Sequence, residues 1–333
     1  QLRSRGVTDP RVLAAMSQDG AMARAAAAPE RPVPWSDRLT SAAFIGLIRV
    51  LRLLPYRRRI PAMGWAFAHL AAPLAGWRAR IRENLALARP DLDPAEVRRL
   101  TYAVPDNAGR SIMEIYSGTN FAARVAAADP LTGPGLPALE QAVAAGRPVI
   151  LACAHFGNYD AARAALSARG WTVGGLYRPM NNRAFNRHYV PAIEAIAQPL
   201  FPRSGRAGLT GMIRFLRGGG MLCLGFDQHD RHGRTLRFFG LPTETVLTPA
   251  ELALKYGALL VPIAAIRQRD GLSFRVQVGA PVPPGEPAAM MQLSKVTTFV
   301  PSAPATEIAF GPVKVPTPET TVTLRPLARP ESP

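Results

Sequence analysis

From Pro148 to Val278 short apolar runs alternate with amphipathic stretches, and no other feature of the chain restricts its fold as tightly. Pro148–Ala154 (PVILACA) is an apolar run of strand length, and Asn158–Arg169 carries helical spacing. Trp171–Tyr177 reads as a strand, Leu209–Arg217 as a helix and Met221–Phe226 (MLCLGF) as a strand. Thr248–Tyr256 reads as a helix, and Leu259–Arg267 and Ser273–Val278 as strands. Strand and helix in turn predict an α/β fold, a central mixed sheet flanked by helices. With 333 residues, 48% hydrophobic and 19% charged, the chain is long enough to bury a sizeable core, which excludes wholesale disorder and a coiled coil.

Residues 1–36 are polar, alanine-rich and then punctuated by Pro29, Pro32 and Pro34, which predicts a flexible leader. Gln1 to Pro32 has neither an apolar core nor a processing site, so no signal peptide is expected there. Residues 37–82 differ. Ala42–Leu54 is apolar except for Arg49 and Arg52, which share one helix face; Arg57–Arg59 follow, and then a second apolar piece, Met63–Trp77. Residues 41–82 hold eight Arg and no acidic residue. Apolar helices edged by Trp and Arg suit a bilayer interface, where each basic residue adds about 1 kcal/mol on an anionic leaflet. The segment is therefore expected to anchor on an anionic membrane surface, and a core hairpin with a solvated basic face is the alternative. No apolar run is clean enough over 18 residues to predict a full spanning helix.

The formal charge of +17 also raises nucleic acid as a partner. Only Lys255, Lys295 and Lys314 of the 40 basic residues are Lys, a bias that accompanies abundant Ala and 33 Pro. Placement therefore says more than the total. The Arg excess gathers beside apolar segments and no nucleic-acid-binding pattern occurs, so no nucleic acid partner is expected. Two cysteines, Cys153 and Cys223, make no disulfide framework and point to a reducing compartment.

The strand Pro148–Ala154 runs into His155, then Phe156, Gly157, Asn158, Tyr159 and Asp160. A histidine at the C-terminal end of a strand sits where α/β sheets place their ligands. Gly157 permits a sharp turn, Asn158 can cap the next helix, and Asp160 on its first turn can fold back to hold the imidazole. Such a pair is a general base with its orienter, worth about 10²–10⁴ in rate. A histidine that merely caps a helix gives the same six-residue pattern by chance. Asp227 and Gln228 close the Met221–Phe226 strand and are expected on the same sheet edge as His155. Two other chemistries use these residues. Cys153 shares a strand face with His155, and a Cys–His pair can attack thioesters, although Cys in an apolar strand is commonly inert filling. Asp227, His229, Asp230 and His232, with His155 and Asp160, are the residue types of a metal-dependent hydrolase, although the spacing in DQHDRHGR is unspecific.

HFGNYD is followed in order by LYRPMNN (Leu176–Asn182), GFDQ (Gly225–Gln228), RFFG (Arg237–Gly240) and LVPI (Leu260–Ile263). In order and spacing these blocks resemble the lysophospholipid-acyltransferase-like superfamily, and within it the lauroyl/myristoyl acyltransferases of lipid A biosynthesis. The resemblance runs from about Arg82 (RENLALARPDL, then GRSIMEIYSG) to about Pro283. It implies a glycerolipid acyltransferase-like fold. It also implies transfer of a fatty acyl group from acyl carrier protein to a hydroxyl of a membrane glycolipid, a lipid A precursor, at the cytoplasmic face of the bacterial inner membrane. Acylation of a lysophospholipid or an aminolipid is the alternative. By the same resemblance His155 takes the proton of the attacking hydroxyl, with Asp160, often Glu in the family, as its partner. Arg178 is implied for the oxyanion or a phosphate, Arg203 and Arg206 for phosphate or carrier contacts, and Asn158, Asp227 and Gln228 for substrate binding. Phe238, Phe239 and Leu241 are candidate linings of an acyl groove. A thioester is already activated, so no metal or organic cofactor is implied. The family continues past its last strands into a helix with Trp and Arg, whereas here no Trp follows Trp171. The expected division is a leader (1–36), a membrane-associated helical segment (37–82), a catalytic domain (83–285) and a Pro/Thr-rich tail (286–333) that is disordered or foreign to the family.

Overall fold

The computed structural model describes residues 33–227 and 229–299, without the side chains of 229–232 and 296–299. Most of the expected leader and most of the expected tail lie outside those residues, as does Gln228. Among the described residues five helices of ten or more residues come first: α1 (Trp35–Arg52), α2 (Tyr56–Ala66), α3 (Trp77–Ala88), α4 (Pro94–Ile115) and α5 (Gly118–Ala127). A wider turn, Phe67–Ala71, carries α2 onward. Asp93 caps α4: its carboxylate accepts from the Glu96 N–H at 2.8 Å, and Pro94 supplies a first residue that needs no partner for its nitrogen. The α/β part follows as β1 (Leu131–Thr132), α6 (Leu136–Ala144), β2 (Val149–Gly157), α7 (Tyr159–Ala168), β3 (Val173–Tyr177) and α8 (Arg183–Glu194). It continues with β4 (Leu200–Pro202), α9 (Arg206–Arg217), β5 (Met221–Gly225), β6 (His229–Phe238), β7 (Leu241–Thr245), α10 (Thr248–Tyr256), β8 (Leu259–Arg267), β9 (Phe274–Val278) and α11 (Pro287–Phe299).

Seven strands form one mixed sheet in the order β1-β9-β8-β2-β5-β3-β4, and β6 and β7 pair as a separate antiparallel hairpin. Only the β8–β9 pairing is antiparallel within the large sheet. The chain leaves β2 toward β3 on one side and leaves β5 toward β8 on the other. Strands β2 and β5 are neighbours, so their C-terminal ends flank a topological switch point, where an open α/β sheet leaves a crevice.

Side-chain alternation splits the core into two layers. On β2, Val149, Leu151 and Cys153 join Ile60, Met63, Met113, Phe121, Leu139 and Leu166 on one face, while Ile150 and Ala152 join Met212, Leu216, Ala253 and Met291 on the other. At roughly 1.5–3 kcal/mol for each large apolar side chain buried, both layers favour the same register, because a one-residue slip would exchange them.

The basic N-terminal helices are not detached from this core. Tyr56, Ile60, Met63 and Gly64 of α2 are buried, and a side chain at Gly109 of α4 would strike the Met63 carbonyl and the Phe67 Cβ. Their outer faces carry apolar side chains among the Arg residues, with Trp35, Leu39, Leu47, Val50, Leu53, Trp65, Leu70 and Leu74 exposed. No helix among the described residues is long and apolar enough to cross a membrane. The polar stretch DQHDRHGR forms the start of β6 from His229, and one reading of the sequence needs correcting: the expected tail begins as α11, whose Met290 and Met291 are buried against the sheet.

Candidate active site

His155 lies within β2, two residues before its end at Gly157, and Asp227 lies two residues beyond β5. One carboxylate makes both contacts between them. Asp227 Oδ1 is 2.8 Å from the His155 ring Nδ1, and Oδ2 accepts the His155 backbone N–H at 2.7 Å. A carboxylate accepts, so Nδ1 carries the hydrogen and Nε2 carries the lone pair. The imidazole and the carboxylate are largely buried, with side chains 24% and 14% exposed. Burial alone pushes the imidazole toward its neutral form. The hydrogen bond and charge of Asp227, with the charge of Asp160, outweigh it and hold the His155 pKa above its ordinary value. Gly225 makes room for the ring, since a Cβ there would lie 3.0 Å from His155 Cε1. Tyr159 meets the ring edge-on at 5.4 Å between centroids.

Asp160 does not hold the imidazole, contrary to the expectation from HFGNYD. Its backbone N–H is taken by the Asn158 side chain at 3.0 Å, and its Oδ1 pairs with Arg163 Nη1 at 2.9 Å, one helical turn on. Arg163 Nη2 also donates to the Ala197 carbonyl at 2.6 Å, so the pair fastens α7 to the segment after α8. Burial pushes the Asp160 carboxyl up and Arg163 only partly offsets it. Asn158 likewise faces inward rather than toward a substrate: its Oδ1 caps α7 and its Nδ2 donates to Glu114 Oε2 at 2.7 Å.

The other predicted residues spread along the same edge of the sheet. Arg178 is exposed directly after β3, and Arg203, directly after β4, donates its N–H to the Tyr177 carbonyl at 2.7 Å. Arg206 opens α9 and is also exposed. Strand β3 stands two places from β2, so Arg178 starts about 10 Å from the strand that carries His155. Cys153 is buried, and its thiol is pushed well up by its hydrogen bond to Cys223 and by burial, which removes the thiolate that a nucleophile needs. Among the described residues no three His, Cys, Asp or Glu side chains converge to hold a metal. Phe238 and Phe239 pack edge to face at the β6–β7 turn, 4.6 Å apart.

Residues 35–296 match the family described as bacterial lipid A biosynthesis acyltransferase. The chain belongs to that family. Among curated proteins it is similar to a phosphatidylinositol mannoside acyltransferase of Mycobacterium tuberculosis, with 30% identity over 161 residues, 47% of this chain and 51% of the relative. It is also similar to a protein of the same name from Mycolicibacterium smegmatis, with 26% identity over 272 residues, 78% of this chain and 86% of that one. The chain thus spans about half the length of the M. tuberculosis relative it matches and most of the M. smegmatis one.

Two features of this family member escaped the sequence. Glu114 on α4 is fully buried in a bidentate pair with Arg267, the last residue of β8. A carboxylate set among Leu100, Val104 and Met113 on the buried face of one helix needs a partner, which was the available signal. Lys295 of α11 is 3% exposed, donates to Thr245 Oγ1 at 2.5 Å and stands 5.0 Å over the Phe238 ring. Burial pushes its ammonium down to about 8, against the pull of Asp227.

Proposed function

We propose that the protein transfers a fatty acyl group from a thioester, carried by acyl carrier protein, to a hydroxyl of a membrane glycolipid. The observation that carries this reading is the 2.8 Å contact between His155 Nδ1 and Asp227 at the crevice between β2 and β5. His155 Nε2 takes the proton of the acceptor hydroxyl as its oxygen attacks the thioester carbonyl carbon. Asp227 keeps the hydrogen on Nδ1 and stabilises the imidazolium. The tetrahedral intermediate collapses with loss of the C–S bond, and the imidazolium returns its proton to the leaving thiolate. Against burial, the contact and charge of Asp227 hold the His155 pKa above its ordinary value, which favours the imidazolium formed in the attack. The exposed guanidinium groups of Arg178, Arg203 and Arg206 supply donors for the oxyanion or for phosphates of either substrate.

The substrate is a lipid, and the exposed apolar residues of α1 and α2 beside Arg49, Arg52 and Arg57–Arg59 support adsorption on an anionic leaflet, at the cytoplasmic face of the plasma membrane. Family membership favours a lipid A precursor as acceptor, and the two named relatives favour a mannosylated phosphatidylinositol. Vesicle-bound protein offered acyl carrier protein thioester and each acceptor in turn tests the proposal. An acylated glycolipid whose formation ends with His155→Ala is expected. Thioester hydrolysis without acyl transfer, by folded protein with either acceptor, would overturn it.

A further inference from the structure

His155 sits where the sheet ladder fails. Strand β2 pairs with β8 as Cys153 with Ile263 and next as Gly157 with Ala265, so three residues of β2 between those pairs face one of β8. Such a bulge turns a side chain out of the pleat, and it also removes the hydrogen bonds that would fix it. Asp227 restrains the backbone at the His155 N–H. The far end of the bulge is restrained differently. The Gly157 carbonyl accepts from Asn107 Nδ2 at 2.9 Å and from Ser111 Oγ at 3.3 Å, both on α4, and the Asn158 N–H donates to the Ala265 carbonyl at 3.3 Å. Gly157 has φ of +60° and its absent Cβ would meet that same Ala265 carbonyl, so the backbone passes here without space to spare.

Arg267 decides how those restraints point. Its five N–H hydrogens match five bonds: Nε to Asn107 Oδ1 at 2.8 Å, Nη1 to Glu114 Oε1 and to the Gly271 carbonyl at 3.1 Å, and Nη2 to Ser111 Oγ at 3.3 Å and Glu114 Oε2 at 2.8 Å. With Oδ1 of Asn107 fixed, its Nδ2 has to face Gly157. With the Ser111 oxygen accepting, its hydrogen is directed to the same carbonyl. Glu114 then reaches Asn158 directly. No hydrogen of the guanidinium remains for a substrate.

We propose that Arg267 is a positioning residue, and that through Glu114, Asn107 and Ser111 it clamps the Gly157–Asn158 end of the bulge so that His155 is aimed into the crevice. This rests on His155 acting as the base. A lysine cannot replace the guanidinium, since three hydrogens on one nitrogen do not reproduce a planar fork.

Arg267→Lys leaves Glu114 buried without its matched partner and threatens folding, so the decisive variant is Asn107→Ala with Ser111→Ala, which keeps the Glu114–Arg267 pair. Two readouts are taken on the full chain: kcat and KM for acyl transfer, and the proton resonance of the His155 Nδ1–H, assigned by its loss in His155→Gln. The expected result is a changed or broadened resonance, with kcat lower by roughly 10- to 100-fold and KM within about threefold, the signature of a displaced group rather than lost binding. An unchanged resonance in the folded double variant overturns the clamp, whatever kcat does. A changed resonance with unchanged kcat keeps the clamp and overturns the role of His155 instead.

Discussion

Asp227→Asn is the substitution whose consequence follows most directly from the geometry. The side chain keeps its size, so the backbone N–H of His155 can still be accepted by the amide oxygen at the site of the 2.7 Å bond. The position 2.8 Å from Nδ1 is then occupied by an NH₂ group, which cannot accept. Nδ1 loses its reason to carry the hydrogen, the lone pair moves from Nε2 to Nδ1, and the base points away from the crevice. The negative charge that stabilises the imidazolium disappears as well. Loss of tautomer and charge together is expected to lower kcat by about 10²–10⁴, or about 3–5 kcal/mol of barrier. The pH profile carries a second signature. Burial lowers the His155 pKa and Asp227 raises it, so without Asp227 the acidic limb of the rate moves to lower pH even as the plateau falls. Thiol release from the acyl thioester, followed from pH 5 to 9, reads both. Asp160→Asn is the contrast: it weakens a buried pair with Arg163 and is expected to lower Tm, with a much smaller change in kcat. An Asp227→Asn enzyme within threefold of wild type, or a larger rate loss in Asp160→Asn, would refute the pairing.

Lys295→Met is expected to stabilise the fold at pH 7 by about 1–3 kcal/mol, because it removes a buried ammonium whose pKa is pushed down to about 8. In the parent chain the penalty is full below pH 8 and relieved as pH rises toward the unfolded value near 10.4, so its stability should rise across that window and that of the variant should not; chemical denaturation against pH checks both. Cys153→Ala should keep at least about half the wild-type rate, since the thiol is buried and held protonated, and loss of all turnover would revive it as a nucleophile. Trp35→Ser with Leu53→Asp removes two of the most exposed apolar side chains of the α1 region. It should weaken sedimentation with anionic vesicles by at least about tenfold at roughly 1.5–3 kcal/mol per buried side chain, with Tm unchanged.

The strands that build the centre of the sheet were legible because burial on both faces leaves long apolar runs, as in PVILACA and LLVPIAAIR, and these appear as β2 and β8. The hairpin of β6 and β7 was not, since neither the large sheet nor an apolar pattern marks it; its strands read HDRHGRTLRF and LPTET. Helix α11 was hidden by the proline-rich composition around it. At the site, local spacing singled out His155 and named Asp160 as its partner, because a residue on the first turn of the next helix is the nearest carboxylate in sequence. The chain instead uses Asp227, 72 residues away, and only the adjacency of β2 and β5 brings it close. The same limit hid Arg267 and Glu114, which are 153 residues apart. Strand order is a property of the whole chain, and no six-residue motif contains it.

Turnover in a cycle of His155→Gln, Asp227→Asn and the double variant tests the His155–Asp227 base most directly. Residues that act as one unit lose their effect once, so the double variant should be no more than about threefold slower than His155→Gln, which itself should lie at least about 10²-fold below wild type. Losses that multiply across the two positions, or a folded His155→Gln enzyme that still transfers acyl groups at the wild-type rate, would contradict it.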